Sequence, residues 1–149
     1  KPDGDILALS VVKAINKRLP GIHMVMHGSS SVPQELQDII NANGGEMPQT
    51  WGTPVDEIVE GIKHGVRKVN IDTDCRMAIS GQVRKILLEK KAEFDPRKFT
   101  KPATEAMQVV CESRYEAFGT AGNASKLKPL PLTAMAGRYN SGELEQKIN

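Results

Sequence analysis

Apolar positions recur at Ile6, Leu7, Val11, Ala14 and Ile15 in "DILALSVVKAINKRL" (5–19), close to the spacing of one helical face, and Pro20-Gly21 ends the stretch. The pattern then changes. "IHMVM" (22–26) is a short, partly β-branched apolar run between Gly21 and Gly28, which predicts a buried strand. Leu36, Ile39 and Ile40 restore a helical stripe in "SSVPQELQDIINANGG", which opens on Ser-Val-Pro with Glu35 close behind and stops at Gly44-Gly45. "TPVDEIVEGIKHG" repeats the arrangement, with Thr53 as N-cap, Pro54 in the first helical position, Asp56 and Glu57 in the first turn, and His64-Gly65 at the end.

"VRKVNID" (66–72) predicts a second strand, interrupted by Arg67, Lys68 and Asn70. "DCRMAISGQVRKILLEKKAEF" and "PATEAMQVVCESRYEAF" predict two long helices separated by a Phe-Asp-Pro-Arg turn. From Gly119 the chain is rich in glycine, proline and polar residues, which predicts an arm (119–149) with one short helix around 131–139. Strands alternating with helices predict an α/β fold with parallel pairing. Two parallel strands leave both edges unprotected. With Lys1 rather than methionine at the start, the pattern predicts the last part of a larger fold over 1–118, followed by the arm.

Composition adds little to this picture. The 149 residues suffice for one domain, 39% are hydrophobic and 26% charged, and a net charge of +2 gives no reason to expect a nucleic-acid or membrane partner. No apolar run approaches the roughly 18 residues of a membrane span, and no basic-then-apolar leader opens the chain. Cys75 and Cys111 lie far apart without paired spacing, which predicts two separate small buried thiols in a reducing, cytoplasmic setting.

Chemistry concentrates where the predicted strands end. The first end carries His27-Gly28-Ser29-Ser30-Ser31. There Gly28 admits a ligand to the backbone, and serine amides and hydroxyls suit phosphate oxygens. The second carries Asn70-Ile71-Asp72-Thr73-Asp74, where alternation puts Asn70 and Asp72 on one face with the Thr73 amide and hydroxyl just beyond. In a (β/α)8 barrel, catalytic groups sit at the C-terminal ends of strands and phosphate is commonly held after strands seven and eight. His27 suits zinc, but a catalytic zinc takes three protein ligands. His23, four residues earlier, is too far along a strand to share that metal and reads as structural or solvent-facing; His64 reads as a helix-end charge.

These stretches, "MHGSSSVPQ", "GVRKVNIDTDCRMA", "EFDPRKF" and "YEAFGTAGNASK", together resemble the C-terminal part of class II, zinc-dependent fructose-1,6-bisphosphate aldolase of the Calvin-cycle subtype, over essentially the whole chain from "KPDGDILA" to "AMAGRY". The resemblance implies the C-terminal portion of a (β/α)8 TIM barrel, with strands seven and eight and their helices. It implies reversible aldol cleavage of fructose 1,6-bisphosphate to dihydroxyacetone phosphate and glyceraldehyde 3-phosphate in glycolysis, gluconeogenesis or the Calvin cycle. By it, His27 matches the last of three zinc-binding histidines. Gly28, Ser29 and Ser30 match the loop holding the dihydroxyacetone phosphate group. Asn70, Ile71, Asp72 and Thr73 match the second substrate segment, and Arg97 matches an arginine reaching the far phosphate, in some members from the neighbouring subunit. A monovalent cation near the phosphate, touching the Gly28 backbone, and a homo-oligomeric complete enzyme are further implications.

The first two zinc histidines, the proton-donor aspartate and the mobile-loop glutamate of the family have no counterpart in this sequence, so the chain alone is expected to be inactive. Tagatose-bisphosphate aldolase shares the same phosphate and metal logic. The alternative from another class is a non-catalytic fragment competent only in phosphate binding or assembly. A serine hydrolase fails because the last glycine of a nucleophile elbow is replaced by Val32, and "GTAGNASK" fails as a nucleotide loop because Ala124 stands where its second glycine belongs.

Overall fold

The computed structural model describes residues 6–145. The opening positions 1–5, part of the first expected helix and barrel segment, and positions 146–149 of the expected arm lie outside the described residues. Among the described residues the order is α1 (Leu9–Arg18), β1 (Met24–Met26), α2 (Gln34–Ala42), α3 (Val55–Lys63), β2 (Val66–Val69), α4 (Thr73–Glu89), α5 (Pro96–Ala117) and α6 (Leu132–Asn140), with a 3-10 turn at Ala124–Lys126. The fold is mixed α/β, and β1 and β2 pair in parallel. No helix among the described residues is long and apolar enough to cross a membrane.

The register pairs Met24 with Val66, Val25 with Lys68 and Met26 with Val69, with an irregularity between the first two pairs. That irregularity lets Met24, Met26, Val66 and Val69 all join one core cluster with Ile58, Ile62, Leu7, Val12 and Phe118. Val25 and its partner Lys68 stay exposed. The small sheet therefore has one face covered by helices and one bare, whereas parallel sheets are normally covered on both.

A second cluster joins Val32, Ile40 and Met77 with Leu36 and Met47, where α2 lies on α4. Gly81 permits the close approach, since a Cβ there would lie 3.0 Å from an Ile39 methyl. Helices α4 and α5 run against each other, and α1 lies on α3. Glu60 of α3 bonds Lys13 of α1 as well as Lys63 and His64 on its own helix. The hydrogen bonds from these side chains, Lys63 foremost and then His64 and Lys13, hold the Glu60 carboxyl down at about 2.

Four expectations shift. The second strand ends at Val69 rather than residue 72, one ladder bond (Asn70 N–H to Met26 O, 3.1 Å) before the chain turns into α4, whose cap residue is Asp72. Helix α3 begins at Val55 with Pro54 as cap residue; Thr53 instead donates its N–H to Ser30 O at 3.1 Å. The start of α2 has no side-chain cap of its own. The expected Phe-Asp-Pro-Arg turn is largely helix: Asp95 caps α5 by accepting from Arg97 N–H, Pro96 occupies the first turn, and Pro102 is carried inside. Proline at the first turn removes only a donor that would have no intrahelical acceptor, so α5 starts a turn and a half before Pro102.

Candidate functional site

Parallel pairing brings the C-terminal ends of β1 and β2 side by side, and hydrogen bonds latch the loops that follow. Ser29, 1% exposed, turns its hydroxyl inward to donate to Asn70 O at 2.8 Å, with Met26 O at 3.2 Å. Its side chain ties one strand end to the other, leaving only its backbone to face a ligand. Ser30 does the reverse. Its Oγ accepts from Asp72 N–H at 3.1 Å and from Thr73 N–H at 3.0 Å, the amides at the N-terminus of α4.

An α-helix leaves its first four amides without intrahelical acceptors and carries partial positive charge there. The Asp72 side chain does not cap these amides, but pairs with Arg76 at 2.8 Å. The Ser30 oxygen thus stands where an anion's oxygen would bind. Gly28 adopts φ +62°, and nothing lies within 4 Å of where its Cβ would be, so the backbone there is open to a ligand. A cavity of about 460 Å³, lined by Ile6, Leu7, His27, Gly28 and Trp51 among others, lies beside this loop.

His27 is exposed on the same junction. Its Nδ1 lies 2.9 Å from the Asn70 carboxamide nitrogen, while the Asn70 carboxamide oxygen accepts from the Lys68 ammonium. Because that oxygen is engaged by the cation, the amide NH2 faces the ring, and Nδ1 is the acceptor. Lys68 thereby sets the orientation of Asn70, and Asn70 sets the tautomer of His27. As a metal centre the described residues fall short: no three His, Cys, Asp or Glu side chains among them converge. A single imidazole whose Nδ1 lone pair is engaged by Asn70 does not by itself fit a catalytic zinc.

A buried network holds the serine loop in shape. Asp74, fully buried, accepts from Ser31 N–H at 3.1 Å, Ser31 Oγ at 2.9 Å and Val32 N–H at 2.8 Å. Arg114 of α5 reaches Ser31 Oγ at 2.7 Å and the Asp74 carboxylate at 3.3 Å. Val32 sits at φ +50°, a left-handed conformation that a β-branched residue adopts at a cost, and the Asp74 bond to its N–H holds it there. From the other side, Gly52 lies so close that a Cβ would be 2.2 Å from Ser30 O.

Arg97 is not brought to this junction. Its guanidinium forks onto Asp95 at 3.0 and 2.7 Å, with the side chain 90% exposed. The pairing pulls the Asp95 carboxyl below the usual carboxylate range. Arg114 and Gly52 were absent from the residues picked out by sequence, and Asp74 was named at the second strand end but given no role. Asp74 carried a signal, as an acid in the first turn of a predicted helix. Arg114 carried none, being 40 residues from the carboxylate it meets. The cysteines also meet: Cys75 Sγ and Cys111 Sγ are 4.0 Å apart across α4 and α5, both half-buried rather than separate core thiols.

Comparison with known proteins decides the family. The model of class II fructose-bisphosphate aldolase matches residues 1–123. The chain belongs to the class II fructose-bisphosphate aldolase family. It is 67% identical to fructose-bisphosphate aldolase 2 of Cereibacter sphaeroides over 99% of this chain and 42% of that protein. It is 59% identical to the fructose-bisphosphate aldolase of Stutzerimonas stutzeri, over 99% of this chain and 42% of the relative, and 54% identical to that of Xanthobacter flavus, over 100% and 42%. The chain thus spans well under half the length of these aldolases, and the loop-to-helix junction described above lies within the matched region.

Proposed function

We propose that this chain is the phosphate-holding part of a class II aldolase barrel, contributing its strands seven and eight, and that the whole protein cleaves fructose 1,6-bisphosphate reversibly between C3 and C4. The observation that carries the reading is the shared junction: Ser30 Oγ resting on the Asp72 and Thr73 amides, beside the open backbone of Gly28. A phosphate oxygen placed there takes up amides that a serine now satisfies, and the positive end of α4 favours its charge. The bare face of the β1–β2 pair supports a barrel whose interior is completed by residues outside this chain.

In this account Gly28, Ser29 and Ser30 with Asp72 and Thr73 hold the dihydroxyacetone phosphate end, and Asn70, followed by Ile71 in the same substrate segment, faces the ketose end. Binding energy gathered at the phosphate, remote from the bond that breaks, fixes the sugar in a reactive orientation. His27, released from Asn70, would supply one imidazole to a zinc whose other ligands lie outside this chain, and the metal when bound would polarise the sugar carbonyl. Arg97, exposed on the first turn of α5 and forked onto Asp95, would exchange that carboxylate for the far phosphate, including that of a neighbouring subunit in a homo-oligomer.

The experiment is retro-aldol turnover of the full-length protein on fructose 1,6-bisphosphate, before and after chelation, with His27→Ala in parallel. Turnover that chelator and His27→Ala both abolish is the expected result. Metal-independent turnover, or phosphate binding with no turnover in the intact protein, contradicts the reading. Preference for tagatose 1,6-bisphosphate would move the assignment to the epimeric sugar.

A further inference from the structure

The cysteines take no part in the phosphate junction, yet the fold brings them together from 36 residues apart. Cys75 lies in the first turn of α4, two positions after Thr73, and Cys111 lies on α5, one turn before Arg114. Both line an open cavity of about 580 Å³ with Val69, Ile71, Arg114 and Phe118, so a small solute reaches the sulfurs without unfolding the chain. Their separation of 4.0 Å exceeds a disulfide bond by about 2 Å, and the two helices that carry them are already in contact. Two half-buried thiols at this distance, on different elements and open to one cavity, are placed to react with each other.

We propose that Cys75 and Cys111 are a reversible dithiol–disulfide site that closes on exposure to a hydroperoxide. Burial, then the neighbouring Cys111 and the Asp74 and Asp72 carboxylates, push the Cys75 thiol up to about 11. One cysteine, as its thiolate, attacks one peroxide oxygen, the O–O bond breaks, and the departing oxygen leaves as water after taking a proton. The resulting sulfenic acid is attacked by the sulfur of the other cysteine, which gives up its proton; the S–O bond breaks and the hydroxyl leaves as a second water. Two thiols lose two electrons and two protons, and one hydrogen peroxide becomes two waters.

The bond ties the start of α4, which carries the Thr73 amide, to the α5 segment that carries Arg114. Oxidation therefore clamps both supports of the serine loop. In proteins kept reduced, disulfides of this kind are transient and sense oxidants rather than build the fold.

The test treats the reduced full-length protein with hydrogen peroxide and follows intact mass, peptide linkage and urea unfolding. The expected result is loss of two hydrogens per chain, a linked pair of peptides containing Cys75 and Cys111, a raised unfolding midpoint, and reversal of all three by dithiothreitol. In Cys75→Ser, Cys111 should instead gain oxygen. Overturning results are oxygen gained separately at both cysteines of the unsubstituted protein, links between chains only, or both thiols still titratable after peroxide. Each of these readouts is independent of aldolase turnover.

Discussion

The Ser30 hydroxyl oxygen lies 3.0 Å from the Thr73 amide nitrogen, joining a loop after one strand to the helix after its neighbour across 43 residues of chain. The bond places a neutral oxygen at the positive end of α4, the position that the proposed function gives to a phosphate oxygen.

If that junction is shaped by the network beneath it, Asp74 should be its most costly member. Asp74→Ala leaves the Ser31 and Val32 amides and the Arg114 guanidinium without their acceptor, and should cost about 3–5 kcal/mol of stability in urea unfolding. Arg114→Ala leaves Asp74 still bonded to both amides and to the Ser31 hydroxyl, so its cost should be smaller. Equal losses, or a larger one for Arg114, would show that the arginine rather than the carboxylate organises the loop.

Acid should weaken the contact between α1 and α3. The Glu60 carboxyl is lowered from its ordinary value of 4.5 to about 2, so its ion pairs favour the folded state above pH 4.5 and that contribution is lost as pH falls from 4.5 toward 2. Glu60 is part-exposed, so the effect is modest. Glu60→Gln should flatten the acid side of the stability profile within that window and leave its shape above it unchanged. An unaltered slope would locate the acid sensitivity elsewhere.

Arg97 and Ser30 should separate the two ends of the substrate. In the full-length protein, Arg97→Ala should raise KM for the bisphosphate about tenfold or more, the loss of one charge-assisted contact, and barely change cleavage of a ketose monophosphate. Ser30→Ala should weaken both substrates, since both carry the proximal phosphate. Equal damage to both by Arg97→Ala would assign it to its Asp95 pair at the start of α5.

Helical periodicity was legible where a stripe packs locally: Leu36 and Ile40 in α2, and Ile58 and Ile62 in α3, meet the core, whereas in α1 the expected Val11 and Ala14 are exposed and Val12 packs instead. The parallel pairing followed from the alternation of strands and helices. The boundaries were harder, since what ends β2 is not a residue preference but the immediate start of α4, with Asp72 as its cap residue. Pro102 resembled a helix start, and the capping of α5 by Asp95 seven residues earlier overrode it. Within the candidate site, the serine loop and "NIDT" stood out by composition. The inward turn of Ser29, the support by Arg114 and the meeting of the cysteines did not, because each depends on contacts 36 to 83 residues apart. Gly52 carried no signal in the sequence, since its closeness to the Ser30 carbonyl exists only in the fold.

The central claim is that one phosphate is held between the Gly28–Ser30 loop and the first amides of α4. The most direct measurement follows backbone amide resonances of the isotopically labelled full-length protein during titration with dihydroxyacetone phosphate. Saturable shifts of Gly28, Asp72 and Thr73 with a common dissociation constant, weakened together by Ser30→Ala, are the predicted result. Saturable binding that leaves those three amides unmoved would contradict it.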